Sequence, residues 1–178
     1  NWRLAQAVSM TGQLGVISGT ALDTIFSRRL QLGDPGGHLQ RAMGHFPNAA
    51  MVERLLARYY RPADGSGPRP FKTAPMISID TDQHTKELTV VANFAEVFLA
   101  KEGHQNPVGT NLLEKVQLPN LYALYGALLA GVDYVIMGAG IRREIPGVLD
   151  LLAEHKEVSL KIAVGALNGN RFHTTFDP

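Results

Sequence analysis

Small and polar residues follow or interrupt three apolar runs of the chain, at points where a ligand could come close to the backbone. They are Ser18-Gly19-Thr20, Asn111, and Gly138-Ala139-Gly140. Glycine has no Cβ, so it leaves room for a ligand against the main chain. Asparagine is disfavoured in strands, which makes Asn111 conspicuous. If the three sites meet, they suit a flat ligand that rests on glycine backbone with an amide beside it.

Each site also has an ordinary structural interpretation, which the residue types alone leave open. Ser18-Gly19-Thr20 is compatible with a plain helix start, Asn111 with a strand-end cap, and the glycines after residue 137 with a tight strand–helix turn. Arg142 and Arg143 could meet a phosphate, but an exposed pair at a helix start is the simpler interpretation.

The apolar spacing predicts the elements that carry these sites. Helices are predicted for residues 2–12 (with Asn1 as N-cap), 20–32 (Thr20 as N-cap, Asp23 in the capping-box position), 38–45, 49–60, 83–102, 119–130 and from about 146. Strands are predicted for residues 14–18, 107–113, 132–137 and 158–164, with a weaker one at 76–79. This alternation of strand and helix is typical of parallel βαβ units in an α/β fold.

Two α/β folds compete on this evidence. An open doubly wound sheet that binds a dinucleotide would carry G-x-G-x-x-G after its first strand, but here the third glycine is missing. A parallel (β/α)8 barrel binds ligands at the carboxyl ends of its strands, where all three sites would converge. A full barrel takes about 250 residues, so about four strands predict a partial TIM barrel, roughly the N-terminal half. Residues 34–82 would be a helical and loop insertion in this single domain, 1–178.

Composition excludes several other functions. The formal charge is +1, from 17 basic and 16 acidic side chains, and no block of like charge indicates nucleic-acid or anionic membrane binding. The absence of cysteine excludes disulfides and thiolate metal sites and fits a reducing cytoplasm. No apolar run reaches the roughly 20 residues that span a bilayer.

Three long segments resemble the PfaD family of flavin-dependent enzymes. They are LAQAVSMTGQLGVISGTALD, ANFAEVFLAKEGHQNPVGTNLLEK and YGALLAGVDYVIMGAGIRREIPGVLDLLA. This family contains the trans-acting enoyl reductases of polyunsaturated fatty acid and polyketide synthases, and it is related to the nitronate monooxygenases. The resemblance implies an FMN-binding barrel. It also implies that Ser18, Gly19, Thr20, Asn111, Gly138, Ala139 and Gly140 face the flavin.

For the whole enzyme, the resemblance implies that NADPH reduces FMN and that hydride then passes to an enoyl thioester on acyl carrier protein. A nitronate monooxygenase and a non-catalytic scaffold remain as alternatives. The family's first strand, its catalytic histidine in a Gly-Gly-His motif and its phosphate loops have no counterpart here. We therefore expect a fragment that lacks the first strand and the C-terminal half of the barrel, with no catalytic residue of its own. Exposed strand edges predict self-association.

Overall fold

The computed structural model describes residues 1–62, 69–138, 140, 142–163 and 172–178. Within them the helices are α1 (Trp2–Met10), α2 (Leu22–Gln31), α3 (His38–Met43), α4 (Ala49–Tyr59), α5 (Gln83–Lys101), α6 (Asn120–Leu129) and α7 (Ile145–Ala153). The strands are β1 (Gly15–Ser18), β2 (Val108–Leu113), β3 (Tyr134–Gly138), β4 (Val158–Ile162) and β5 (Phe172–Phe176). The predicted order of elements is confirmed up to β4, except that residues 76–79 form no strand.

Side-chain caps and left-handed glycines set several helix ends. Asn1 accepts a hydrogen bond from the backbone N–H of Arg3 at 2.9 Å, as predicted for the start of α1. Asp82 caps α5 in the same way, accepting from the N–H of Thr85 at 2.7 Å. After α5 and α6 the chain turns at Gly103 (φ +84°) and Gly131 (φ +72°), where any other residue would be strained.

The predicted start of α2 was wrong. The helix begins at Leu22, and its N-cap is Ala21, which has φ 58° and makes no side-chain cap. The turn that leaves β1 takes Ala21 into the left-handed region, so Thr20 lies before the helix and cannot cap it. Asp23 forms no capping box; its Oδ1 accepts from the N–H of Thr24 at 2.8 Å.

A parallel sheet in the order β1-β2-β3 forms the centre of the fold. Helices α2 to α5 connect β1 to β2, and α6 connects β2 to β3. All three carboxyl ends therefore lie at one edge of the sheet. The molecule is a mixed α/β structure, and its three parallel strands do not close into a barrel within the described residues.

The prediction that 158–164 continues the parallel sheet was wrong. Strand β4 instead pairs antiparallel with β5 in a separate two-stranded sheet, with Val158 opposite Phe176. Its burial alternates, with Val158 and Leu160 buried and Ser159 exposed. This alternation is typical of an antiparallel strand with one solvated face, whereas a central parallel strand is apolar on both faces.

Helix α5 is buried around nearly its whole circumference, because it packs against α1, α2, α3, α4, α6 and the sheet. The sequence predicted a single apolar face through Leu88, Val91 and Phe98. Polar residues outside this face are buried as well. The two acidic ones, Glu87 and Glu96, are paired with hydrogen-bond donors. Glu87 accepts from Arg54 Nη2 at 2.7 Å, and Glu96 accepts from the N–H of Trp2 at 2.8 Å. The residues of α3 and α4 within 34–82 join this same core.

The carboxylate of Asp133 joins the amino-terminal ends of β2 and β3. Because this contact needs the ionised carboxylate, we expect acid to weaken it. Its Oδ2 accepts from Lys101 Nζ at 2.6 Å and from the N–H of Val108 at 2.8 Å. Burial raises the pKa of Asp133, but these hydrogen bonds outweigh it and hold the pKa below its ordinary value of 3.8. A lowered folded-state pKa contributes stability that is complete above that ordinary value and is lost as the pH falls through the folded-state pKa.

We expect Asp133→Asn to lower the free energy of unfolding at neutral pH by about 1 kcal/mol, a value kept small because the carboxylate is partly solvated. Urea unfolding at neutral pH and at about pH 2.5 would measure this. The difference between wild type and variant should shrink in acid. A difference of equal size at both pH values would contradict the role of the ionised carboxylate.

Candidate functional site

The strand register brings three of the sequence-predicted residues onto one face of the sheet. Ser18 is the Cα partner of Asn111, and Leu113 is the partner of Gly138. Register partners in a sheet point to the same side, and residues two apart on a strand do so as well. Ser18, Asn111 and Gly138 therefore share one face, at the carboxyl ends of the strands. The predicted convergence of these three positions is confirmed, whereas cofactor binding by them remains a prediction.

No described helix covers this face, which we call the open face. It consists of Val16, Ser18, Gly109, Asn111, Leu113, Tyr134, Ile136 and Gly138. Its apolar side chains are unusually exposed, at 48% for Leu113, 55% for Tyr134 and 38% for Ile136. Parallel sheets normally have both faces covered. The opposite face obeys that rule, with Ile17 and Leu112 buried under the helices.

Asn111 and Gly138 form a polar edge on the open face. A Cβ placed on Gly138 would meet only Asn111 Oδ1, at 4.0 Å, so the backbone there is open to a ligand. The side chain of Asn111 is exposed, and no described residue hydrogen-bonds its amide. Its backbone carbonyl accepts from the N–H of Gly19 at 2.9 Å, which fixes the strand beneath it. The unpaired side-chain amide of Asn111 therefore lies next to the accessible main chain of Gly138.

Gly19 and Thr20 reach the same edge of the sheet but lie away from the open face. Gly19 is buried, and a Cβ on it would come within 2.5 Å of Leu112 Cδ2 and 2.8 Å of Thr110 Oγ1. Close packing therefore explains this glycine without a ligand. Thr20 is half-buried and lines a cavity on the side of the helices.

The segment after β3 is held by a polar cluster. Ala139 lies outside the described residues. Gly140 is exposed, and a Cβ on it would lie 2.6 Å from Glu114 Cγ, so this glycine makes room for the Glu114 side chain. Glu114 in turn pairs with Arg142, whose Nε donates to Glu114 Oε1 at 2.6 Å.

Arg142 is not the exposed residue that the sequence predicted, since its side chain is only 10% exposed. Its Nη1 donates to the carbonyl of Lys161 at 2.8 Å, and its Nη2 donates to Gln117 Oε1. Gln117 also accepts from the N–H of Ala163 at 2.7 Å. Arg143 is exposed, as predicted. The cluster joins three segments far apart in sequence, so no local pattern could have revealed it.

A cavity of about 780 Å³ lies at the carboxyl edge on the helix side of the sheet, and we call it the edge cavity. The start of α2, the middle of α5, residues 73–77 and residues 115–119 line it. Asp23 lies in its wall, where burial raises the pKa of the carboxyl group despite hydrogen bonds from backbone N–H groups. The local pattern predicted only a capping role for Asp23, because the other residues of this cavity come from distant segments.

Metal-ligand clusters and membrane-spanning helices are absent from the part of the chain that the structure describes. It contains no group of three metal-ligating side chains, and no helix there is both long and apolar enough to cross a bilayer. None of the histidines lies on β1, β2 or β3. The polar side chains among the described residues of the open face are therefore the amide of Asn111 and the hydroxyls of Ser18 and Tyr134.

No family model, curated protein or solved structure matches this chain.

Proposed function

We propose that the open face binds the isoalloxazine ring of FMN, and that the chain is part of a flavin-dependent enoyl reductase with a partial (β/α)8 barrel. The observation that carries the proposal is the placement of Ser18, Asn111 and Gly138 on one uncovered face at the carboxyl ends of parallel strands. This is the edge at which parallel α/β barrels bind their ligands. In a barrel, the open face would be the interior wall.

The residues present fit a flavin ring. The ring is flat and mainly apolar, with hydrogen-bonding atoms along one edge. The open face offers exposed apolar surface from Leu113 and Ile136, with the unpaired amide of Asn111 beside it. An amide both donates and accepts, so it can meet either kind of atom on the ring edge. Gly138 keeps the backbone accessible at that point.

In this proposal the chain binds and orients the ring, and the cofactor supplies the chemistry. FMN, when bound, carries hydride from NADPH to an enoyl thioester that acyl carrier protein presents. Asn111 holds the polar edge of the ring, and Gly138 allows close approach. The apolar side chains of the open face exclude water from the ring. The described residues of the open face include no histidine, carboxylic acid or amine, so in this proposal protonation of the product depends on other parts of the enzyme.

Flavin binding to this chain can be tested with riboflavin and FMN, by quenching of their fluorescence on titration. We expect weak binding, and equal affinity for both flavins if the contacts are to the ring alone. Asn111→Leu should weaken binding by about fivefold, because it removes hydrogen bonds worth about 1 kcal/mol. Gly138→Val should weaken it further, by covering the backbone.

Thr175→Ala is the matched control, since Thr175 is an exposed polar residue on the separate β4–β5 sheet. It should bind both flavins as the wild type does. Absence of binding at about 1 mM FMN, or unchanged binding by Asn111→Leu, would contradict a ring site on the open face.

The reaction class needs a separate experiment on the complete enzyme. NADPH oxidation should depend on a crotonyl thioester of acyl carrier protein. Turnover of a nitronate with oxygen, without reduction of the thioester, would exclude the enoyl reductase and leave the flavin site intact.

A further inference from the structure

The edge cavity is separate from the open face, because its walls belong to the helix side of the sheet. Asn93 and Thr89 of α5 line it on one side, and Leu22 of α2 lines it on another. A cavity of about 780 Å³ is within the size range of small-molecule sites, roughly 300–1,000 Å³. The cavity is partly open to solvent, so a ligand can enter it without unfolding of the chain.

Asn93 places in this cavity a hydrogen-bond acceptor that has no donor in the folded chain. Its side chain is 1% exposed, and its Nδ2 donates to the carbonyl of Thr89 at 2.9 Å. That bond fixes which end of the amide is the acceptor. The acceptor, Oδ1, has no hydrogen-bond partner. A buried acceptor without a donor costs about 1–3 kcal/mol, so the site is improved by any ligand that donates to it.

The remaining walls are mainly apolar and favour an uncharged ligand. Ala74, Ile77, Leu118 and Ile162 are among them, while Arg28 and Lys115 are exposed at the rim. Burial already disfavours the ionised form of the Asp23 carboxyl group in this wall, which raises its pKa. The same loss of water would penalise a charged ligand.

Residues 73–77, which we call the strap, line the cavity, and hydrogen bonds hold the chain just before them to α2. Buried Gln31 accepts from the N–H of Lys72 at 2.6 Å and donates to its carbonyl at 2.9 Å. After the strap, Thr81 Oγ1 accepts from the N–H of Ser78 at 2.6 Å, a bond within the turn that precedes α5. Met76 of the strap is 93% exposed. The strap therefore lines the cavity, and the Met76 side chain does not fill its interior.

We propose that the edge cavity binds an uncharged, mainly apolar molecule that carries a hydrogen-bond donor at one end, which it presents to Asn93 Oδ1. Medium-chain primary amides and alcohols belong to this class. The site is independent of the flavin proposal, since it uses neither Asn111 nor Gly138.

Decanamide and methyl decanoate are suitable probes, because both have a ten-carbon acyl group and only the amide has a donor. We expect isothermal titration of the chain to give tighter binding of decanamide, by about tenfold, the ratio that one additional hydrogen bond supplies. Asn93→Leu should abolish this preference, with methyl decanoate bound as well as before or better.

Ala74→Trp provides a second test that does not depend on the amide. Ala74 is half-buried on the strap, and a tryptophan there should fill the cavity and reduce binding of both probes at least tenfold. Leu4→Ala is the control, because Leu4 is 69% exposed on α1 and does not line the cavity. Failure of both probes to bind up to their solubility limits in water, or a preference for decanamide that survives Asn93→Leu, would overturn the proposal.

Discussion

Gly126→Ala is expected to lower the free energy of unfolding by about 3 kcal/mol or more, the upper end of what overpacking costs. Gly126 lies in α6, where the helix crosses α5. A Cβ at this position would lie 2.1 Å from the backbone oxygen of Val90 and 3.1 Å from the backbone nitrogen of Phe94. Both atoms belong to the main chain of a buried helix, so neither can rotate away. The two helices would have to separate.

Gly147→Ala is the matched control for this prediction. Gly147 is also a helical glycine, in α7, but a Cβ on it would have no atom within 4 Å. Alanine there should stabilise the protein by about 0.5–1 kcal/mol, because it restricts the unfolded chain and favours the helix. Urea unfolding of both variants measures the contrast. Equal effects of the two substitutions would show that the close α5–α6 contact is absent.

The sequence predicts this fold well where the signal is local. Apolar periodicity located every helix from α1 to α7 and the strands up to β4, and Gly103 marked a helix end because it takes a left-handed conformation. The common edge for Ser18, Asn111 and Gly138 followed from parallel βαβ connections. These predictions need only neighbours in the chain and the general geometry of parallel sheets.

Prediction from the sequence fails where a residue depends on partners far away in the chain. Arg142 was expected in solvent, yet Glu114, Gln117 and the Lys161 carbonyl surround it. The edge cavity arises from five separate segments, so neither Asp23 nor Asn93 carries a local sign of it. For β4 a local signal existed, since its apolar and polar residues alternate, as in an antiparallel strand with one solvated face.

The buried carboxylate of Glu96 gives the second large effect that we expect. Its side chain is 5% exposed and accepts from Arg29 Nη1 at 3.1 Å, in addition to the N–H of Trp2. It thereby attaches α1 and α2 to the central helix α5. Glu96→Ala should lower the free energy of unfolding by about 3 kcal/mol, because it leaves a cavity and two donors without their acceptor. Arg29 is 28% exposed and can turn to water, which keeps the value at the low end of the range for buried pairs.

Two further substitutions test whether the large effect of Glu96→Ala comes from burial of the ion pair or from the loss of any ion pair. Glu96→Gln keeps the size and one acceptor, so we expect a loss of about half that of Glu96→Ala. Glu102→Ala removes the ion pair with Arg41, whose side chains are 34% and 40% exposed, and should cost less than about 1 kcal/mol. Urea unfolding of the three variants gives the comparison. If Glu102→Ala were as destabilising as Glu96→Ala, burial would not be what makes the Glu96 contact strong. If Glu96→Ala had no effect, α1 and α2 would be held to α5 by apolar packing alone.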